Sequence, residues 1–210
     1  RPPPRSTLFP STTLFRSALT RQIMKEVHLG ETMDELREFF DITADKASFA
    51  KPEAEAKRLV AKVEELGRKS TSFAMIHADG KVSFLSLKKD ADPRAMVDTD
   101  EVEDIVKRLD VSVLHHFIIN QVMIGNPEYE LEDDECFYVR DAKRVLELLS
   151  TKKASLAFLM NTTSMEQVME IVQAGIKMPH KSTYFHPKII SGLVMRNMDS
   201  EMQKSRCGKR

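Results

Sequence analysis

Thr71-Ser72-Phe73-Ala74-Met75-Ile76-His77-Ala78-Asp79-Gly80-Lys81-Val82-Ser83-Phe84-Leu85-Ser86-Leu87 is the stretch whose reading decides the fold. Asp79-Gly80 is the two-residue signal of a tight turn, because glycine supplies the positive φ such turns need. The arms on either side, Thr71 to His77 and Lys81 to Leu87, are rich in β-branched, aromatic and other apolar residues. The spacing predicts an antiparallel hairpin, and with it a sheet.

Upstream, Pro52 suits the first turn of a helix, and Leu59, Val60, Val63 and Leu66 fall on one face. Gly67 is expected to end that helix in the left-handed conformation. Thr32-Met33-Asp34-Glu35 reads as a capping box opening a helix through about Phe40, and residues 22 to 28 as a short strand. Downstream, Asp110 is expected to cap a helix from Val111 to about Ile124, with Val111, Leu114, Ile118 and Val122 at helical spacing and Gly125 as the stop.

Residues 136 to 140 read as a strand, Asp141 as the cap of a helix through Leu149, and residues 155 to 160 as a second strand. Thr163-Ser164-Met165-Glu166 reads as another capping box opening a helix to Gly175, and residues 189 to 195 as a last strand. The fold class predicted is mixed α/β, an antiparallel hairpin near 71–87 plus a strand-helix-strand-helix-strand unit from 136 to 195. Its short crossovers favour parallel pairing in part of the sheet. No internal repeat or heptad run is legible.

The termini have a different character. Residues 1 to 17 hold four of the chain's nine prolines and a near-repeat, Thr7-Leu8-Phe9 and Thr13-Leu14-Phe15, without any helical or strand period. Thr7 to Ser17 resembles the translation of a sequencing adapter, so 1–17 is expected to be non-native and disordered. Residues 18–198 are expected to form the body, and 199–210 a flexible tail carrying Cys207.

In the 210 residues, 32 Lys and Arg balance 32 Asp and Glu, with no basic stripe fit to neutralise a run of phosphates. Nucleic acid is therefore not the expected partner. No apolar run reaches the roughly 18 residues that span a bilayer, and two distant cysteines make no disulfide framework. A soluble, cytoplasmic setting is the expectation.

The polar clusters are few. His115 and His116, adjacent on a helix, point about 100° apart, so at most one is expected to face inward. No Cys or carboxylate partners them at metal-binding spacing, and the expected role of His115 is a buried imidazole bonded to backbone or carboxylate. Glu132 to Glu135 lacks the ligand alternation and glycine of a calcium loop and reads as a solvated turn. Cys136 reads as an inert core thiol, and the methionines, among them Met160, Met165, Met169 and Met178, as packing.

Met178-Pro179-His180-Lys181-Ser182-Thr183-Tyr184-Phe185-His186-Pro187-Lys188 stands apart. Lys181, Ser182, Thr183 and Lys188 are the ammonium and hydroxyl donors a phosphate or carboxylate needs, held between two stiffening prolines. The glycines of a phosphate loop are missing. The competing reading is a rigid connection whose hydroxyls cap local backbone groups.

These residues also carry a resemblance. The string from Met178 to Val194, with Leu109 to His115, Ala157 to Asn161 and Gln167 to Met169, resembles the C-terminal half of the domain-of-unknown-function family numbered one thousand and fifteen, a group of uncharacterised bacterial and archaeal proteins. The match covers about Ala18 to Val194. The family's end motif falls on Met178, Pro179, Lys181, Ser182, Thr183, Phe185, Pro187, Lys188, Ser191 and Gly192, and its helix histidine on His115. His180 and His186 depart from the family pattern, so neither is expected to act as ligand or base.

The resemblance implies a protein about twice this long. Its N-terminal half holds an Asp-Gly-His-His-Arg string, similar to one in the sulfiredoxin and chromosome-partitioning nucleotide-binding fold, some members of which phosphorylate free serine. Asp79-Gly80 is not that string, since Lys81 follows. The function implied is a fragment of a small-molecule or nucleotide-dependent enzyme, in the phosphotransferase class, with the main chemistry in the other half. An interaction or structural domain without catalysis is the alternative. The expected ligand set is Lys181, Ser182, Thr183, Lys188 and His115, holding an anionic small molecule. No metal and no cofactor are expected in this chain, with a nucleotide a candidate for the full-length protein.

Overall fold

The computed structural model describes residues 16–20, 29–97, 99, 102–129, 131–132 and 135–179. Its strands are β1 (Arg16–Thr20), β2 (Phe40–Lys46), β3 (Ser72–His77), β4 (Lys81–Leu87), β5 (Cys136–Val139) and β6 (Ala154–Met160). They form one sheet in the order β2-β4-β3-β6-β1-β5, and every neighbouring pair is antiparallel. The helices are α1 (Leu29–Phe39), α2 (Pro52–Gly67), α3 (Pro93–Met96), α4 (Asp104–Lys107), α5 (Asp110–Ser112), a π-helix (Val113–Ile124), α6 (Ala142–Ser150) and α7 (Met165–Gln173). The mixed helix-and-sheet class is as the sequence predicts.

The hairpin forms where Asp79-Gly80 places it. Gly80 has φ +86°, its N–H donates to the His77 carbonyl at 2.9 Å, and the Lys81 N–H donates to Asp79 Oδ1 at 3.0 Å. The expected parallel pairing does not form, because a third strand separates the two strands each crossover joins. β4 lies between β2 and β3, and β1 lies between β5 and β6. The crossovers through α2 and α6 therefore join strands of like direction that share no hydrogen bonds. β3 and β6 meet at the centre, with Met75 opposite Phe158.

Strand alternation divides the core in two. Ala74, Ile76, Val82, Phe84, Ala157 and Leu159 face Leu59 and Val63 of α2 and Val145, Leu146 and Leu149 of α6. Phe73, Met75, Leu85, Leu156, Phe158 and Met160 face the other way, toward Leu36 of α1 and Val113, Leu114, Phe117 and Ile118 of the π-helix. Phe117 lies edge-on to Phe39 at 4.9 Å and tilted against Phe40 at 6.5 Å, which seats the π-helix on the α1–β2 junction.

Several local expectations change. β1 begins at Arg16, inside the segment expected to form no element, and it occupies an interior position of the sheet with Ala18 and Leu19 fully buried. α1 starts at Leu29, so Thr32 is buried within the helix and does not stand at its N-cap. Gly67 ends α2 without a positive φ; a Cβ there would collide with the Asn161 side-chain amide. The box on α7 is shifted by one residue, Ser164 pairing with Gln167. Asp141 caps α6 as expected, accepting from the Lys143 N–H at 3.0 Å.

Cys136 is a buried core thiol. Met169 is half exposed and is not packing. Glu135 belongs to no solvated turn. It is 7% exposed and accepts from Tyr129 Oη at 2.7 Å and from the Glu132 N–H at 3.0 Å. The strands expected at 22–28 and 189–195 lie outside the described residues.

Candidate functional site

The helix predicted over 111–124 is a single turn of α-helix, Asp110–Ser112, that widens into a π-helix over Val113–Ile124. Long π-helices are rare, and their one-turn form recurs at functional sites. Gly125 closes it in the left-handed conformation, φ +75°, as the sequence requires.

The i→i+5 pattern has a direct consequence for side chains. In an α-helix residues five apart lie about 140° apart around the axis, whereas the wider turn of a π-helix brings them nearer to one face. His115 and Asn120 are five apart, and both line one cavity of about 930 Å³. His116 lines it as well, correcting the expectation that only one of the two histidines faces inward. The wider turn brings neighbouring side chains closer in angle than the α-helical reckoning allows.

The cavity lies on the π-helix side of the sheet. Val106 of α4 and Val111 of α5 supply apolar wall, with Leu131 and Ile176. Tyr138 of β5 stacks at 5.7 Å and 30° on the His115 ring. Desolvation by the surrounding apolar groups, helped by repulsion from His116, holds the His115 imidazole down at about 4, so it is neutral at physiological pH. Asn120, 6% exposed, donates through Nδ2 to the Tyr129 carbonyl at 2.7 Å and the Pro127 carbonyl at 3.4 Å. This fixes the loop after the π-helix as a wall. Ser112 is 2% exposed, and its Oγ has no hydrogen-bond partner among the described residues.

A second polar cluster anchors the start of the helix. Asp110, expected as an N-cap, is instead the first helical residue and faces the sheet. Its carboxylate accepts from Thr71 Oγ1 at 2.9 Å and from the Asn161 side chain, while Asn161 Nδ2 also reaches the Ser72 carbonyl at 3.3 Å. Burial outweighs these donors and raises Asp110 to about 6.

Of the predicted site residues, the structure places His115 on the cavity. Lys181, Ser182, Thr183 and Lys188 lie outside the described residues. The described chain reaches the cavity through Gly175, Ile176, Lys177 and Pro179, and Pro179 precedes Lys181 by two positions. Ser112, Asn120 and Tyr138 were not predicted. Ser112, His116 and Asn120 stand at i, i+4 and i+8, a spacing that places them on one helical face, whereas Tyr138 comes from a strand that nothing local in the sequence connects to them. Among the described residues no group of three or more His, Cys, Asp or Glu is placed to hold a metal ion, and no helix is long and apolar enough to cross a membrane.

Compared with known proteins, the chain matches no family model, no curated protein and no solved structure. The site is therefore read from its own chemistry.

Proposed function

We propose that this chain is the ligand-holding part of a small-molecule enzyme of the family it resembles. The cavity holds the ligand, and an anionic group is assigned to the donors Lys181, Ser182, Thr183 and Lys188. The observation that carries this reading is the convergence of Ser112 at the end of α5 and of His115 and Asn120 of the π-helix onto a cavity of about 930 Å³, within the size range of small-molecule sites. In this reading Lys181 and Lys188 supply point charges, and Ser182 and Thr183 hydroxyl donors. A nucleotide-dependent phosphotransfer, serine-related, is the reaction class proposed for the full-length protein, with the reacting groups outside this chain.

The test is calorimetric titration of inorganic phosphate into the 210-residue chain and its Lys181→Met variant, with thermal melts of both. Binding that Lys181→Met weakens at unchanged stability supports the reading. Loss of stability without a change in phosphate affinity favours a structural end segment and a domain without catalysis.

A further inference from the structure

We infer that the part of the cavity lined by Ser112 and Asn120 takes an uncharged, planar heteroaromatic group that donates hydrogen bonds, of the nucleobase class. This rests on the reading that the cavity holds a small molecule, and it adds the chemical class of the group that enters.

Two polar side chains on the cavity wall have bonding capacity that no described residue uses, and of the two only Ser112 Oγ is itself sealed from solvent. Asn120 uses Nδ2 on the Tyr129 and Pro127 carbonyls, and among the described residues nothing donates to its Oδ1. Ser112 Oγ is sealed and unpaired among the described residues, on a residue that lines the cavity. Buried groups of this kind are normally satisfied, and an unmet one points to a partner that is missing. Asn120 Oδ1 is an acceptor only, so its partner is an N–H or O–H donor.

The remaining lining selects among donors. An anion is disfavoured in this part, since His115 is neutral, the exposed Lys177 sits on the segment leading to Pro179, and Glu103 is also on the lining. A polyol would turn hydroxyls against Val102, Val106, Val111, Leu131 and Ile176, where they find no partners. A flat heteroaromatic ring meets both demands. Its edge donates to Asn120 and Ser112, and its faces lie against apolar side chains and the stacked His115–Tyr138 pair.

The experiment uses the full chain with four probes: adenosine, cytidine, ribose and inorganic phosphate. Binding is followed by calorimetry and by the imidazole C–H resonances of His115. At least one nucleoside is expected to bind and shift His115, with ribose silent. Ser112→Ala should weaken that nucleoside about two- to tenfold, the size of one net hydrogen bond, and leave phosphate binding as it was. The same variant should melt no lower than the parent, since the hydroxyl it removes has no partner among the described residues. Phosphate binding without nucleoside binding overturns this inference and leaves the proposed function standing. Nucleoside binding without a phosphate response sustains the inference and removes the anion site. Silence from all four probes overturns both, as ribose binding alone overturns the heteroaromatic assignment. Nucleoside affinity unmoved by Ser112→Ala also counts against it.

Discussion

Thr71 Oγ1 donates a 2.9 Å hydrogen bond to Asp110 Oδ1, tying the residue before β3 to the first turn of the helix that becomes the π-helix. Thr71 and Asp110 are thus the hinge between sheet and cavity wall. Burial raises the folded Asp110 to about 6 from an ordinary 3.8, so the fold favours the protonated acid. The stability this brings is complete below about pH 4 and is lost as pH rises through about 6. Asp110→Asn keeps the shape and removes the charge. It should raise the melting temperature at pH 7, the stability gain being on the order of 2–3 kcal/mol at most, from roughly 1.4 kcal/mol per unit. Thermal melts at pH 7 check this, and a lowered midpoint would contradict the buried-acid account.

His115 carries the opposite linkage. Its folded value is held at about 4 against an ordinary 6.5, so the neutral ring contributes stability above pH 6.5 that is lost as pH falls through 4. Between pH 4 and 6.5 the contributions of Asp110 and His115 run in opposite directions and offset each other. Each variant unmasks the other group. Asp110→Asn should lose stability on acidification across this window, and His115→Gln should gain it. Urea unfolding at half-unit pH intervals distinguishes these slopes, and slopes of like sign in the two variants would refute the pairing.

The hairpin, α2, α6 and the terminating Gly125 were legible because each rests on a local rule: turn glycine, proline at a first turn, side-chain cap, apolar period. The sheet order was not, because β4, folded back through the hairpin, separates β2 from β3, and β1, from a distant part of the chain, separates β5 from β6. The π-helix was hidden for a related reason. Val111, Leu114, Ile118 and Val122 satisfy an α-helical period, and nothing local reveals the wider turn that sets His115 beside Asn120. The candidate site was therefore half-read, with His115 foreseen and its neighbours not.

β1 sits between β5 and β6, so its loss strips hydrogen-bond partners from both and uncovers the face of the sheet beneath α6. Ala18 and Leu19 are fully buried, one on each side. Removal of residues 1–15 should leave the melting temperature unchanged within error, as four prolines and the lack of a helical or strand period leave them no apolar face to bury. Removal of residues 1–20 should abolish cooperative unfolding. Circular dichroism melts of the two truncations decide it, and equal melts would mean that β1 adds nothing to the sheet.

Gly67 ends α2 at a place where an Ala would ordinarily help, since alanine is favoured over glycine in helices by about 1 kcal/mol. Here the space is taken by Asn161, whose amide occupies the position of a Cβ. Asn161 is not free to withdraw, because it holds the Ser72 carbonyl and the Asp110 carboxylate together. Gly67→Ala should therefore destabilise the fold by about 1–3 kcal/mol, the range of overpacking costs. In an Asn161→Ala background the obstruction is gone, and the same substitution should become neutral or stabilising. A double-mutant cycle by denaturant unfolding measures this coupling, expected at 1 kcal/mol or more on the order of contacting pairs. Additive effects would show that backbone conformation, and not the Asn161 amide, demands glycine at 67.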